Sequence, residues 1–455
     1  MKSCSSAEKK HLFSAKELFA LLFPLALEQL LTIAIGMADT IMVSSYSESA
    51  VSAVSSVDLI SWLFIVVFSS FSTGGAVIVS QYIGRRDLEN AKSAAKNLTI
   101  VSIILSLIMT AITIALKDIV LHLVFGTIEE SVYIDATKYY IPIALSYPFL
   151  ALFDATTAIS RSVNKTKRIF FVSLLMNVIN ISGNYILIHI VNLGSLGAGI
   201  ASLLSRIIGS LVMLFILMRK TEECSLSGIT RTKINIKHVK NITRIAIPSA
   251  FDGALFQVGK LIVQSQIATL GTSSLAIHAI VCNFNSYCNI PQNAFVLAVI
   301  TLVGQAAGAE RKDEERYWTK WCVVCSIITT TIFVLPMFIF TPQVVSIYGL
   351  NYASSLEAIP ICRLCLIACT LIIPFAFTIP NALNATGDVK YTMIVSILSM
   401  WIFRVALVFI LLRVFNFGVD GVWYAMYADW IFRGLLYTLR FCGTKWQNKK
   451  AIKEE

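Results

Sequence analysis

The sequence predicts an all-α integral membrane protein, with twelve transmembrane helices in two six-helix lobes related by a pseudo-two-fold axis along the membrane normal. Three observations predict it. Hydrophobic residues make up 56% of the 455 and charged residues 14%, and the mean hydropathy is +0.76, a balance foreign to water-soluble domains. Runs of mostly apolar residues, about 20 being enough to cross a hydrocarbon core, fall near 17–44, 51–80, 97–116, 133–160, 169–191, 196–218, 242–269, 275–304, 318–341, 356–380, 391–414 and 419–439. The first half also recurs in the second. Adding 224 takes Pro24 to Pro248, Glu28 to Asp252, Gln81 to Gln305, Gly84 to Gly308, Asn192 to Asn416, Gly194 to Gly418, Gly197 to Gly421 and Ala201 to Ala425. Internal duplication is a common construction of secondary transporters, and six spans per repeat leave both halves in one orientation.

The first span, PLALEQLLTIAIGMADTIMV, carries Pro24 and two acids, Glu28 and Asp39. A carboxylate in mid-bilayer costs roughly 2.5–3.5 kcal/mol on insertion scales, so acids there face a bundle interior or an aqueous cavity. Eleven residues of helix separate the two, which places both on one face. After the second span, GRRDLENAKSAAKN reads as a short amphipathic helix, and its repeat partner GAERKDEERYWTKW reads the same way. The connection 117–138 is acidic and partly helical by its pattern. The fifth span sets Asn177, Asn180 and Asn184 along one helical stripe, a polar wall in an apolar helix. The sixth offers Ser202 and Ser205 ahead of Arg206.

A polar linker, 220–240, then separates the lobes as a surface tether. In the second half Asp252 is accompanied by Gln257, Lys260, Gln264 and Gln266, and the eighth span adds Asn283, Asn285, Tyr287, Asn289 and Gln292 around Pro291. The eleventh adds Arg404. Asp429 and Arg433 in the twelfth stand at i, i+4 and read as an ion pair within one helix. The domain plan is a tail at 1–16, a lobe at 17–219, the linker, a lobe at 241–442 and a tail at 443–455.

Lys and Arg fix the orientation. They crowd the N-terminus, the connections carrying Arg85, Arg86, Lys92 and Lys96 and then Arg161, Lys165, Lys167 and Arg168, and the central linker. Connections 45–50, 192–196 and 270–274 have none. Both termini and the linker are therefore expected in the cytoplasm. The net charge of +11 follows from this asymmetry and calls for no nucleic acid. The first seventeen residues are polar and read as a short tail, with no cleavable signal peptide. Cys322/Cys325 and Cys362/Cys365 have CxxC spacing but lie in or beside apolar spans without a second pair or nearby histidines, so packing is the better reading. No HExxH, Ser-His pair or paired metal acids suggest an enzyme.

PLALEQ…ADTIMV, SQYIGRRD, IPSAFDGALFQVGK, LVGQAAGAERK, NALNATGDVKYT and WYAMYADWIFR recur in order, and over residues 17–442 the chain resembles the multidrug and toxic compound extrusion (MATE) family, its bacterial members most. The resemblance implies two lobes around a central cleft, and efflux of organic, often cationic compounds by antiport with Na⁺ or H⁺ and no other cofactor. It implies that Asp39 binds the coupling ion, with Asn180, Asn184 and Ser202 at matching polar positions and no metal site beyond Na⁺ at Asp39. Family members often carry an aspartate where this chain has Asn184, and some place acids in helices seven and ten that are missing here, so coupling is expected in the first lobe. Glu28, Asp252, Gln257, Asn283 and Tyr287 are expected to line the substrate cleft, with Pro24 and Pro248 as hinges, in a monomer. A lipid-linked oligosaccharide flippase of the related superfamily is the alternative; those carry strongly cationic cavities, whereas here Lys260 and Arg404 are opposed by Glu28, Asp39 and Asp252.

Overall fold

In the computed structural model, which describes residues 11–125 and 130–452, the described chain is a succession of helices joined by short connections. The first half forms α1 (Ala15–Ser44), α2 (Glu48–Gly84), α3 (Leu88–Ala115), α4 (Glu130–Ser162), α5 (Lys167–Asn184, extended by a π-helical stretch Tyr185–Ile190) and α6 (Gly194–Leu217). The second forms α7 (Ile236–Ala268), α8 (Thr272–Gly308), α9 (Lys312–Ile339), α10 (Tyr352–Leu371, continued by Pro374–Thr378 and Ile379–Thr386), α11 (Val389–Ser399, then π-helical Met400–Ala406 and Leu407–Arg413) and α12 (Val419–Cys442). Eleven helices among the described residues are long and apolar enough to cross a membrane. α12, 24 residues long, completes the second lobe; Asp429 and Arg433 lower its hydropathy and are buried within the bundle.

Local chemistry starts these helices where the sequence changes character. Ser14 and Glu17 form a reciprocal cap on α1, Ser14 N donating to Glu17 Oε2 at 2.7 Å and Glu17 N to Ser14 Oγ at 3.3 Å, which satisfies two otherwise orphaned amides. Ser47 caps α2, Asp87 caps α3 and Asn351 caps α10 through side-chain oxygens. Because Asp87 caps directly before Leu88 and no breaker follows, GRRDLENAKSAAKN is the first turns of α3 rather than a separate helix; GAERKDEERYWTKW opens α9 likewise. The acidic connection is helical at Lys117–Phe125 and again from Glu130, while 126–129, like the ends 1–10 and 453–455 of the expected tails, lies outside the described residues.

The duplication is visible in the backbone. Left-handed φ angles close α2 at Arg86 (61°) and α8 at Glu310 (57°), and recur at Asn192 (58°) and Asn416 (53°), each pair 224 apart. The two lobes cross at equivalent glycines. A Cβ on Gly84 would stand 2.0 Å from the carbonyl oxygen of Gln305, and one on Gly308 would stand 2.0 Å from that of Gln81. Only a residue without Cβ permits such contact. Gln81 Nε2 donates to Ala385 O and Gln305 Nε2 to Ser162 O, both at 2.8 Å, so each glutamine reaches into the opposite lobe.

This crossing anchors a core common to both lobes: Leu18, Leu21 and Leu25 of α1, Val77 to Val79 and Tyr82 of α2, Ile242, Ile245 and Ala246 of α7, and Ala298, Val299 and Leu302 of α8. The remaining clusters stay within one lobe, Val57, Tyr139 and Ile188 in the first, Val281, Cys365 and Trp423 in the second. The lobes therefore join at the end that carries the basic connections and share no core at the other.

Two expected surface segments are part of the packing. Cys224 and Leu226 of the linker are 1% and 0% exposed, and Leu226 N donates to Leu217 O at 2.8 Å. α7 also starts at Ile236, inside the range given to the tether. In the C-terminal segment Trp446, Ala451 and Ile452 are buried, Ala451 and Ile452 joining the shared core. Isolated apolar residues in polar stretches give no periodicity to read, which is why a tether and a tail were expected. The CxxC cysteines are unpaired, Cys322, Cys362 and Cys365 buried and Cys325 half-buried.

Candidate functional site

Three helices of the first lobe meet at Asp39. Asn184 Nδ2 donates to Asp39 Oδ1 and lies 3.4 Å from Asn180 Oδ1, and Asn180 Nδ2 donates to Ser202 Oγ at 3.3 Å. The structure thus joins Asp39, Asn184, Asn180 and Ser202 in one polar chain from α1 through α5 to α6. The i, i+4 spacing on α5 stacks its two amides on one side, while the small Ser202 of α6 leaves room for Asn180. Asn180 and Asn184 are buried, and Asn184 Oδ1 and Asn177 Oδ1 have no hydrogen-bond partner among the described residues. Leaving a buried oxygen unpaired costs about 1–3 kcal/mol, so the cluster retains acceptor capacity for a proton or a cation.

Beside it stands a second acid that the sequence reading did not single out. Tyr139 OH of α4 donates to Asp58 Oδ1 of α2 at 3.1 Å, and Asp58 is within electrostatic range of Asp39. Arg206, whose Nη1 donates to Ser146 Oγ at 2.6 Å, acts on Asp39, Asp58 and Asp154. Further toward the basic end Glu28 accepts from Gln29 Nε2 at 2.9 Å and faces Arg161 of α4, with Asp154 nearby. Asp58 and Asp154 were legible by the rule applied to Asp39, an acid in an apolar run; nothing local marks Tyr139.

The second lobe is built differently. Asp429 of α12 accepts from Arg433 Nε at 2.8 Å and pairs with Arg404 Nε of α11 at 3.2 Å. Arg433 Nη1 also donates to Ser396 Oγ at 2.9 Å, and both guanidiniums lie over the Phe256 ring, at 4.9 and 5.4 Å. The predicted i, i+4 pair is present, with Arg404 as an unforeseen third member. A cavity of about 260 Å³ beside it is lined by Asp252, Arg433, Asn381 and Asn384 from this lobe and by Ser69, Ser70 and Thr73 of α2. A second cavity, about 310 Å³, is lined by Lys260, Arg404, Asn285, Asn289, Gln292 and four aromatic side chains.

Asp252 thus lines a cavity at the lobe boundary that does not include Glu28. Gln257, Asn283 and Tyr287 line neither cavity: Gln257 is half-buried, Asn283 is exposed, and Tyr287 stacks on Phe333 at 5.3 Å. Asn285 and Asn289, two residues away on another face of α8, point inward instead, a rotation that composition alone does not register. Pro24 and Pro248 both sit inside uninterrupted helices.

The MatE family model matches residues 24–186 and, a second time, 248–410. This chain belongs to the MatE family. The two MatE segments begin and end 224 residues apart, the offset that the sequence shows and the backbone repeats. Among relatives, the chain is similar to YisQ, an uncharacterized transporter of Bacillus subtilis, at 27% identity over 98% of each chain. It is also similar to a probable multidrug resistance protein, NorM, of Thermotoga maritima, at 27% identity over 97% of this chain and 95% of that one. Its fold matches a multidrug resistance MATE family transporter of the MOP superfamily solved in an outward-facing conformation, with a TM-score of 0.87, 19% identity and coverage of 94% and 96%. A MATE structure in a bent conformation matches with a TM-score of 0.86, 20% identity and 94% of each chain covered.

Proposed function

We propose that this MatE chain exports organic, often cationic compounds from a bacterial cell in exchange for Na⁺ or H⁺, with Asp39 as the coupling carboxylate. The observation that carries the reading is the polar chain Asp39–Asn184–Asn180–Ser202, half-buried at Asp39 and buried beyond it, with Asn184 Oδ1 left unpartnered among the described residues. Carboxylate, amide and hydroxyl oxygens are hard ligands suited to Na⁺, and the same carboxylate alone accepts a proton. Either cation neutralises Asp39. Antiport then requires only that drug and ion compete for the acidic lobe and favour different facing states.

The relatives support the substrate class, since the Thermotoga protein is named for probable multidrug resistance. With the basic end in the cytoplasm, as the Lys and Arg distribution favours, the core shared by the lobes lies on the inner side. Pro24, lacking an amide hydrogen, permits α1 to bend between such states, and Pro248 permits the same in α7. Glu28 and Asp252 add negative charge for a cationic substrate.

The test is export of a fluorescent organic cation from proteoliposomes under an imposed Na⁺ gradient or an imposed pH gradient. Export driven by one of them, and lost in Asp39→Asn, is the expected result. Export that needs neither gradient, or that survives Asp39→Asn at the wild-type rate, overturns the coupling assignment.

A further inference from the structure

The repeat offset sets the second-lobe cavity in register with the acidic cluster of the first. Position by position, Asp39 of α1 corresponds to Val263 of α7, Asp58 of α2 to Cys282 of α8, Asn180 of α5 to Arg404 of α11, and Ser202 and Arg206 of α6 to Met426 and Trp430 of α12. Cys282, Arg404, Met426 and Trp430 all line the 310 Å³ cavity. The place that gathers acids and oxygen acceptors in one lobe therefore gathers a guanidinium, a thioether and an indole in the other. A cation site has become its electrostatic opposite.

The charge balance in the chamber is positive. Arg404 shares Asp429 with Arg433, so one carboxylate serves two guanidiniums. Lys260, reaching the same cavity from α7, has no ion-pair partner among the described residues. No Asp or Glu is among the residues lining it. Unpaired polar groups border it as well: Trp423 and Trp430 are 0% and 3% exposed, neither indole N–H has an acceptor, and Gln292 Oε1 has no donor among the described residues. Buried donors without acceptors are unfavourable until something supplies an oxygen. Phe256, Phe377, Trp423 and Trp430, with Val296 and Ile373, form the apolar part of the wall.

We propose that this chamber is a binding site for an aromatic carboxylate, the carboxylate held between Lys260 and Arg404 and the ring system against the indoles. One ammonium and one shared guanidinium match a monoanion, and the volume admits a bicyclic ring. A substrate carrying both an amine and a carboxylate would then meet an acidic lobe and a cationic lobe suited to its two ends. The site is read by binding alone, without a gradient, so its failure is separate from that of the coupling reading.

The experiment is calorimetric titration of the detergent-purified full chain with 2-naphthoate and with its neutral amide, 2-naphthamide. The expected result is about tenfold tighter binding of the acid, the difference that ion pairing typically makes visible. Lys260→Gln removes a charge with no structural partner and is expected to weaken naphthoate about fivefold and leave naphthamide unchanged; Trp423→Phe removes a donor and part of the wall and is expected to weaken both ligands. Equal affinity of acid and amide for the wild type overturns the proposal, as does wild-type naphthoate affinity in Lys260→Gln. Displacement of naphthoate by dioctanoylphosphatidylglycerol at equimolar concentration assigns the chamber to a lipid headgroup and overturns the small-carboxylate reading. Should Trp423→Phe not fold, the exposed Lys260 variant decides alone.

Discussion

The two lobes share a chain trace and differ in charge. In the first, Asp39, Asp58, Asp154 and Glu28 are set among amides and hydroxyls, with Arg161 and Arg206 as the cations facing them. In the second, the matching helices bring Arg404 and Arg433 onto one buried carboxylate, Asp429, with Lys260 beside Arg404 in one cavity and Asp252 lining the other. What the copies keep is what packing demands: the glycine crossing, the left-handed turns, the short helices at Lys117–Phe125 and Thr341–Ser346 that start 224 residues apart. Buried polar side chains are tied to helix position only through their partners. A duplicated scaffold can therefore hold its shape while its interior polarity inverts.

The largest effect expected from breaking this contrast is functional. Asp39→Asn should reduce gradient-driven efflux to the level of protein-free vesicles while leaving the melting temperature within a few degrees of wild type, since it removes charge and preserves shape. In the second lobe the corresponding loss should be structural. Asp429→Asn strands two buried guanidiniums, and breaking a buried pair in this way typically costs about 3–5 kcal/mol. Thermal aggregation in detergent should show a large drop in midpoint; an unchanged midpoint would mean that the arginines are held by other groups.

A smaller effect tests the symmetry itself. Gly84→Ala and Gly308→Ala each force a Cβ against a backbone carbonyl, overpacking that costs about 1–3 kcal/mol. The two variants should lose the same stability, and a clear inequality would show the crossing to be less symmetric than the chain. The smallest effect belongs to the linker, which has no counterpart in the second lobe. Burial raises the Glu222 carboxyl, but hydrogen bonds and charge from Arg168 and Lys165 outweigh it and hold it below the usual range. Its contribution is present above the ordinary carboxylate pKa and is lost as pH falls through the lowered value. Glu222→Gln should thus lower stability by about 1 kcal/mol at neutral pH, with melting curves of variant and wild type converging in acid.

Span number, repeat offset and the stripe of asparagines on α5 were legible because burial and periodicity write them into local sequence. The gathering of Asp39, Asn180, Asn184 and Ser202 was legible only through family likeness, since α1 lies more than a hundred residues before the α5 and α6 it meets there. Asp58 and Asp154 could have been found by extending the rule used on α1. Arg404 with Asp429 could not, because their pairing depends on how α11 and α12 rotate against each other. The same holds for Asn285 against Asn283 on α8. Rotation of a helix about its axis is fixed by neighbours, and a helix with apolar residues on every side gives no stripe from which to read it.

Trp446, Ala451 and Ile452 follow the last helix and are packed, the last two beside Leu21, Ile245 and Val389 in the core that joins the lobes. During synthesis α1 emerges long before them, so the first helix inserts before its neighbours in this core exist. Each lobe can settle its own interior as it is made, whereas the joint between them stays unfinished until the segment after α12 has followed. A chain cut directly after α12 would hold all twelve helices and still present an open seam.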